Sequence, residues 1–232
     1  MESEFKNEAE WIPKPKENDD RKGFIKKVYG ILCTQLAFTC IIVTMGIQIE
    51  AFKEWLTSNF IFLIVCFSIN IITVLILICM KRASRKYPMN YILLFTFTIT
   101  EAFLVANVAA YYASMTVLIA AILTLSVTMG VTVYAFRHKE RFLFWPGTIW
   151  GLTFGCLVLV IFFIVFYDSL LVNLFICAAI IILYTLFLVF DTQRIVNSGR
   201  WGLSYDDYII AALCVYIDII GLFLYILRFL KK

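Results

Sequence analysis

The chain has 232 residues, 62% of them hydrophobic and 16% charged, with a net charge of +4. That is too apolar for a soluble domain, in which about a quarter of residues are charged, and the few cations form no dense basic face of the kind a nucleic-acid partner needs. The apolar residues come in long blocks, so the pattern is that of an all-α integral membrane protein that crosses the bilayer several times.

Residues 1–27 form a polar tail with balanced charges, too short and too polar to bury a core. Its Pro13-Lys14-Pro15 stretch favours extended geometry. It has no apolar segment of its own, so the first span is expected to act as the membrane signal. Arg21 to Lys27 is a basic, amphipathic approach to the bilayer. Residues 28–232 then hold seven expected spans, at 28–49, 60–80, 91–112, 115–136, 145–167, 170–197 and 205–230. Each is long enough to cross about 30 Å of hydrocarbon at about 1.5 Å per residue. The turns at Ala113-Ser114 and Asp168-Ser169 predict tight antiparallel hairpins.

Lys and Arg gather in the tail and in the loops after spans 2, 4 and 6, whereas Lys53 stands alone in the loops after spans 1, 3 and 5. By the positive-inside rule the N-terminus is cytosolic. Arg228, Lys231 and Lys232 fit a seventh full crossing less well, and a re-entrant last segment would suit them. The seven cysteines all fall inside apolar runs and read as small hydrophobic residues.

Three ionisable residues lie at membrane depth: Glu101 in span 3, Asp191 in span 6 and Asp218 in span 7. All are acidic, which suits protons or a metal cation better than an anion. In an antiparallel hairpin Asp191 and Asp218 are level if the turn is centred between Ser204 and Tyr205. The run Asn197 to Leu203 places that centre a few residues earlier, which offsets the pair along the axis. Ser204-Tyr205-Asp206-Asp207 reads as an N-cap with an acidic residue at N3, which moves the start of span 7 toward the level arrangement. Two adjacent carboxylates in low dielectric cannot both stay ionised cheaply, so they titrate as a coupled unit. When ionised they offer oxygens for transient Ca²⁺ binding. Arg194, one helical turn beyond Asp191, is a ready local partner that would give Asp191 a purely structural role.

His138 is the lone histidine and sits among loop charges. No nucleophile elbow, Walker loop or dinucleotide fingerprint occurs, so an enzyme is not expected, nor is a cofactor.

Five pieces in order are similar to the Bax inhibitor-1 (transmembrane Bax-inhibitor-motif) family: Phe24 to Leu32 with Gln35, Lys86 to Asn90, Phe97 to Ala102, Phe190-Asp191-Thr192-Gln193, and Ala211 to Ile220. Within it the chain resembles the lifeguard branch, of the lifeguard 4 or Golgi anti-apoptotic protein type. The resemblance implies six helices around a central seventh. It also implies a proton-sensitive Ca²⁺ leak in a Golgi or endoplasmic reticulum membrane, tied to calcium homeostasis and resistance to apoptosis. Asp191 and Asp218 match the pH sensor of bacterial relatives. Their basic latch at the cytosolic end of span 2 would here be Lys81 or Arg82, residues that the positive-inside rule also explains. Those relatives carry an acid in span 2 where this chain has Asn70, with Glu101 in span 3 as a further possible part of the ion path. The rival readings are a non-conducting scaffold that binds death-pathway or channel proteins, and a subunit of a larger membrane complex.

Overall fold

A computed structural model describes residues 15–137, 154–155, 158, 161, 170–198 and 203–230. The first fourteen residues of the tail, His138, nearly all of the fifth expected span and the centre of the last turn lie outside the described residues. The described part is helical throughout, with no strand among the described residues. In chain order the helices are α1 (Pro15–Gln48), α2 (Glu50–Ser58), α3 (Phe60–Cys79), α4 (Lys81–Arg85), α5 (Met89–Ala109), α6 (Ser114–Arg137), α7 (Leu170–Val196) and α8 (Tyr208–Phe229).

Six of these are long and apolar enough to cross a membrane: α1, α3, α5, α6, α7 and α8. Their outward faces carry large apolar residues, as on α3, where Phe60, Ile64, Phe67, Ile72 and Leu75 are exposed. In water such a surface would aggregate; in a bilayer it is solvated by lipid tails. The protein is therefore an integral membrane protein.

The first helix is longer than expected. It starts at Pro15, so the basic approach is continuous with the span. Proline is well tolerated in the first turn of a helix, where its missing N–H costs nothing, which suits Pro15. α2 is a short amphipathic helix between the first two spans. Its Leu56 is fully buried, while Trp55 packs its ring 4.9 Å from Phe62. An aromatic residue at a span end is the usual interfacial anchor.

The expected hairpin of spans 3 and 4 is only half right. The turn between α5 and α6 is short, but the two helices diverge from it. α5 packs on α1 and α3, whereas α6 packs on α7 and α8. Burial explains the split: α8 touches both α5 and α6, and each gains more by covering α8 than by covering the other. α8 is the most enclosed of the described spans, with 67% of its apolar window buried against 22–44% in the other five. It packs against α1, α4, α5, α6 and α7. Such a helix can carry polar groups on more than one face, because every face meets protein.

The cysteines divide. No disulfide links the described ones; Cys66 and Cys177 are buried, while Cys33, Cys40 and Cys79 stand on exposed faces.

Candidate functional site

α7 and α8 close the chain as a hairpin. Asp191 stands five residues before the end of α7, and Asp218 ten residues after the start of α8. Counted from the two helix ends, the stagger is about five residues, or about 7–8 Å along the axis. The two carboxyls are nonetheless close enough to feel each other's charge. Both also act on the thiol of Cys214, one turn before Asp218 on the same face of α8. Asp191 and Asp218 thus lie within range of each other's charge across the α7–α8 seam. The seam that holds them is tight: the ring of Tyr184 on α7 lies directly over Gly221 on α8, where any side chain would collide with it.

The surroundings of the two aspartates differ. Asp191 is partnered, its Oδ1 accepting from Arg194 Nη1 at 3.4 Å. Asp218 is buried, and its Oδ2 has no hydrogen-bond partner among the described residues. Nearby parts of the same hairpin carry more unmet hydrogen-bonding capacity: both amide atoms of Gln193 and the hydroxyl of Ser198 are buried without a partner among the described residues. Buried polar atoms are nearly always matched, by protein or by ordered water, so this group makes the seam a candidate site.

The latch contact differs from expectation. Arg82 is exposed, and no ion pair joins it to Asp191 or Asp218; the side chain of Lys81 lies outside the described residues. The cation of this loop that reaches the closing hairpin is Arg85. It donates from Nε to Asp207 Oδ1 at 2.7 Å and from Nη2 to Oδ2 at 2.9 Å. This two-pronged bond ties α4 to the start of α8 at the mouth of the bundle. Its hydrogen bonds, and then its charge, raise the Arg85 guanidinium above its ordinary value. Sequence reasoning missed the pair because Arg85 is one of four cations in its loop and Asp207 was assigned to an N-cap.

That cap forms only in part. Asp207 Oδ2 accepts from the Ser204 N–H at 3.2 Å, the reach-back half of a capping box. Regular helix begins four residues after Ser204, at Tyr208, because Asp207 is also drawn toward Arg85. α1 supports the same turn, with Phe24 edge-on to Tyr205 at 6.0 Å and Lys27 Nζ 5.5 Å from the centre of the Tyr208 ring.

Glu101 does not join the aspartates. It belongs to a second polar system on the opposite side of α8. Tyr216 and Asp218 are two residues apart, about 200° around a helix. Tyr216 therefore faces α1 and α5. Its hydroxyl bonds to Thr39 Oγ1 at 2.8 Å, its ring meets Phe97 at 5.8 Å, and it feels the charge of Glu101. Beside it Gln35 Nε2 donates to Thr98 Oγ1 at 2.8 Å. Asn70 Nδ2 donates to Glu101 Oε2 at 2.9 Å and to Thr100 Oγ1 at 3.3 Å. The acid missing from span 2 thus stands one hydrogen bond away on span 3. No group of three or more metal-ligating side chains occurs among the described residues, so Ca²⁺ could meet two carboxylates at most at the aspartate pair.

A bundle of apolar helices with paired acids at depth is the class of protein that the geometry defines. Comparison with known proteins narrows the class. The family model described as "Inhibitor of apoptosis-promoting Bax1" matches residues 21–232. Human protein lifeguard 3 is 34% identical over 220 residues, which cover 92% of this chain and 71% of the relative. Mouse protein lifeguard 4 is 32% identical over 212 residues, 91% of this chain and 85% of the relative. The chain belongs to the Bax inhibitor-1 family, in its lifeguard branch. Relatives of the lifeguard 3 and lifeguard 4 types match about equally well, so the likeness reaches the branch rather than one type.

Proposed function

We propose that this protein is a pH-sensitive Ca²⁺ leak pathway of an intracellular membrane, and that it acts in calcium homeostasis and restrains apoptosis. The observation that carries the reading is the aspartate pair: Asp191 and Asp218 interact across one seam, and Asp218 keeps an unmatched buried oxygen. Two interacting carboxyls change protonation together, so proton concentration sets the charge at the seam and with it the attraction for a divalent cation. The family membership supports the link to apoptosis, and the lifeguard 4 relative is consistent with a Golgi membrane.

In this reading seven spans cross the membrane, residues 28–232 forming one domain with α8 as the central helix, and the tail faces the cytosol. Lys81 or Arg82 serves as a latch in another state of the pore, since both lie in the loop that Arg85 already ties to α8. Glu101 lines a separate part of the path. The test is flux from Ca²⁺-loaded proteoliposomes across a range of pH. The double variant Asp191→Asn/Asp218→Asn is expected to lose the pH dependence, holding flux within about twofold from about pH 6 to pH 8. A double variant that keeps the full pH response would overturn the reading.

One observation favours a second reading. The Arg194–Asp191 bond gives Asp191 a local partner, as in a pair that pins helices together. The bundle would then be a non-conducting scaffold for death-pathway or channel proteins, or a subunit of a larger complex. It predicts no flux at any pH, and loss of thermal stability when either aspartate is removed.

A further inference from the structure

A groove of about 450 Å³ runs between α3 and α5 on the side of the bundle away from the aspartate pair. Its walls are apolar, formed by Ile64, Phe67 and Leu104, with Phe60 and Val108 at the end nearest α2. Phe60, Ile64 and Phe67 are also among the exposed residues, so the groove opens sideways toward lipid. Its floor is polar, with Asn70 and Glu101. Glu101 lies eight residues from the end of α5, about 12 Å into the membrane.

Polar capacity within the groove is unevenly used. Asn107, the third polar residue, spends its amide on the Leu56 carbonyl at 3.1 Å. Asn70 donates to Glu101 Oε2. Glu101 Oε1 has no partner among the described residues and is the one acceptor at the floor that can carry a charge, beside the amide oxygens of Asn70 and Asn107. An ionised carboxyl at this depth is costly without a positive partner, and the described membrane-spanning residues around it supply none. The missing partner has a definable chemistry. Ca²⁺ takes six to eight oxygen ligands, which one carboxyl and two amide oxygens cannot provide. A protonated amine needs only a few acceptors, and its charge matches that of the carboxylate. Apolar walls then ask for an apolar body behind the amine, and a volume of 450 Å³ is within the range of a small-molecule site.

We propose that the α3–α5 groove is a lateral binding site for an amine-headed amphiphile, its ammonium on Glu101 beside Asn70 and its hydrocarbon along Ile64, Phe67 and Leu104. The site is reached from the bilayer, not from water. It stands apart from the aspartate seam and holds whether or not the protein conducts Ca²⁺.

The experiment uses the full chain in phosphatidylcholine nanodiscs and a photoreactive long-chain primary amine as probe. Labelling is expected to saturate, to map to peptides of α3 and α5, and to be displaced by octadecylamine. Octadecanol, with the same chain and no charge, is expected to compete about tenfold less well or worse. Glu101→Gln keeps the shape and the hydrogen-bonding atoms and is expected to weaken amine binding about tenfold. Leu104→Trp fills the groove and is expected to abolish labelling. Equal competition by amine and alcohol on the unaltered chain would overturn the proposal even if a variant failed to fold. So would a Glu101→Gln binding curve that matches the parent, or labelling that falls outside α3 and α5.

Discussion

α8 carries one aspartate at its start and another at its middle, and their settings are opposite. Asp207 sits at the mouth of the bundle, where two prongs of the Arg85 guanidinium grip it at 2.7 and 2.9 Å. Asp218 lies ten residues into the helix, buried, with one oxygen unmatched and a second carboxyl for a neighbour. The first arrangement resists titration; the second invites it. The arginine's shift makes the point for the mouth. A cation raised above its ordinary value contributes stability at every pH below that value, and loses it only as pH climbs through the folded one. From the arginine side, the clasp therefore does not change charge anywhere near neutrality. The same residue type on one helix is a structural tie where a cation meets it at the water boundary, and a candidate switch where only another acid does.

Four experiments break or sharpen this contrast. The largest effect is expected in reconstituted flux: Asp218→Asn flattens the pH response, while Asp207→Asn changes its amplitude and leaves its slope. Equal flattening by both variants would erase the distinction. Next comes the seam itself. Gly221→Leu drives a side chain into the Tyr184 ring and is expected to destabilise the protein by about 1–3 kcal/mol in thermal unfolding. Adding Tyr184→Ala is expected to recover part of that loss. An effect no larger than that separates the two carboxyls of the seam by stability. Asp218→Leu removes an unmatched buried oxygen and is expected to hold or raise the melting temperature, because burying such a group costs about 1–3 kcal/mol. Asp191→Leu strands Arg194 and is expected to lower it. Equal losses would favour the scaffold reading. The smallest effect is at the mouth. Arg85→Gln and Asp207→Asn each lower the melting temperature slightly, their double variant lowers it no further, and high salt shrinks the difference, as for an ion pair with one partner partly open to water.

Much of the hairpin was legible in the chain. Phe190-Asp191-Thr192-Gln193 and Ile217-Asp218-Ile219 stood out because charge is rare in apolar runs. Arg85 and Asp207 were hidden for the opposite reason: both lie among other charges, where composition does not single out a pair. Glu101 was visible as a charge, but its side of the bundle was not. The cap at Ser204 forms only in part because its local signal competes with the contact that Asp207 makes to Arg85, far along the chain.

The sequence by itself determined that this is a helical membrane protein, where most of its spans run and which acids lie at depth. Those properties follow from hydrophobic length and from the cost of charge in hydrocarbon, which act on each segment separately. Only the tertiary structure decided that α5 and α6 part to cover α8, that Asp218 and Tyr216 serve two separate polar systems, and that Arg85 holds Asp207. Each of these depends on which face of a helix meets which neighbour, and in a bundle that is apolar nearly all around, periodicity does not mark the face.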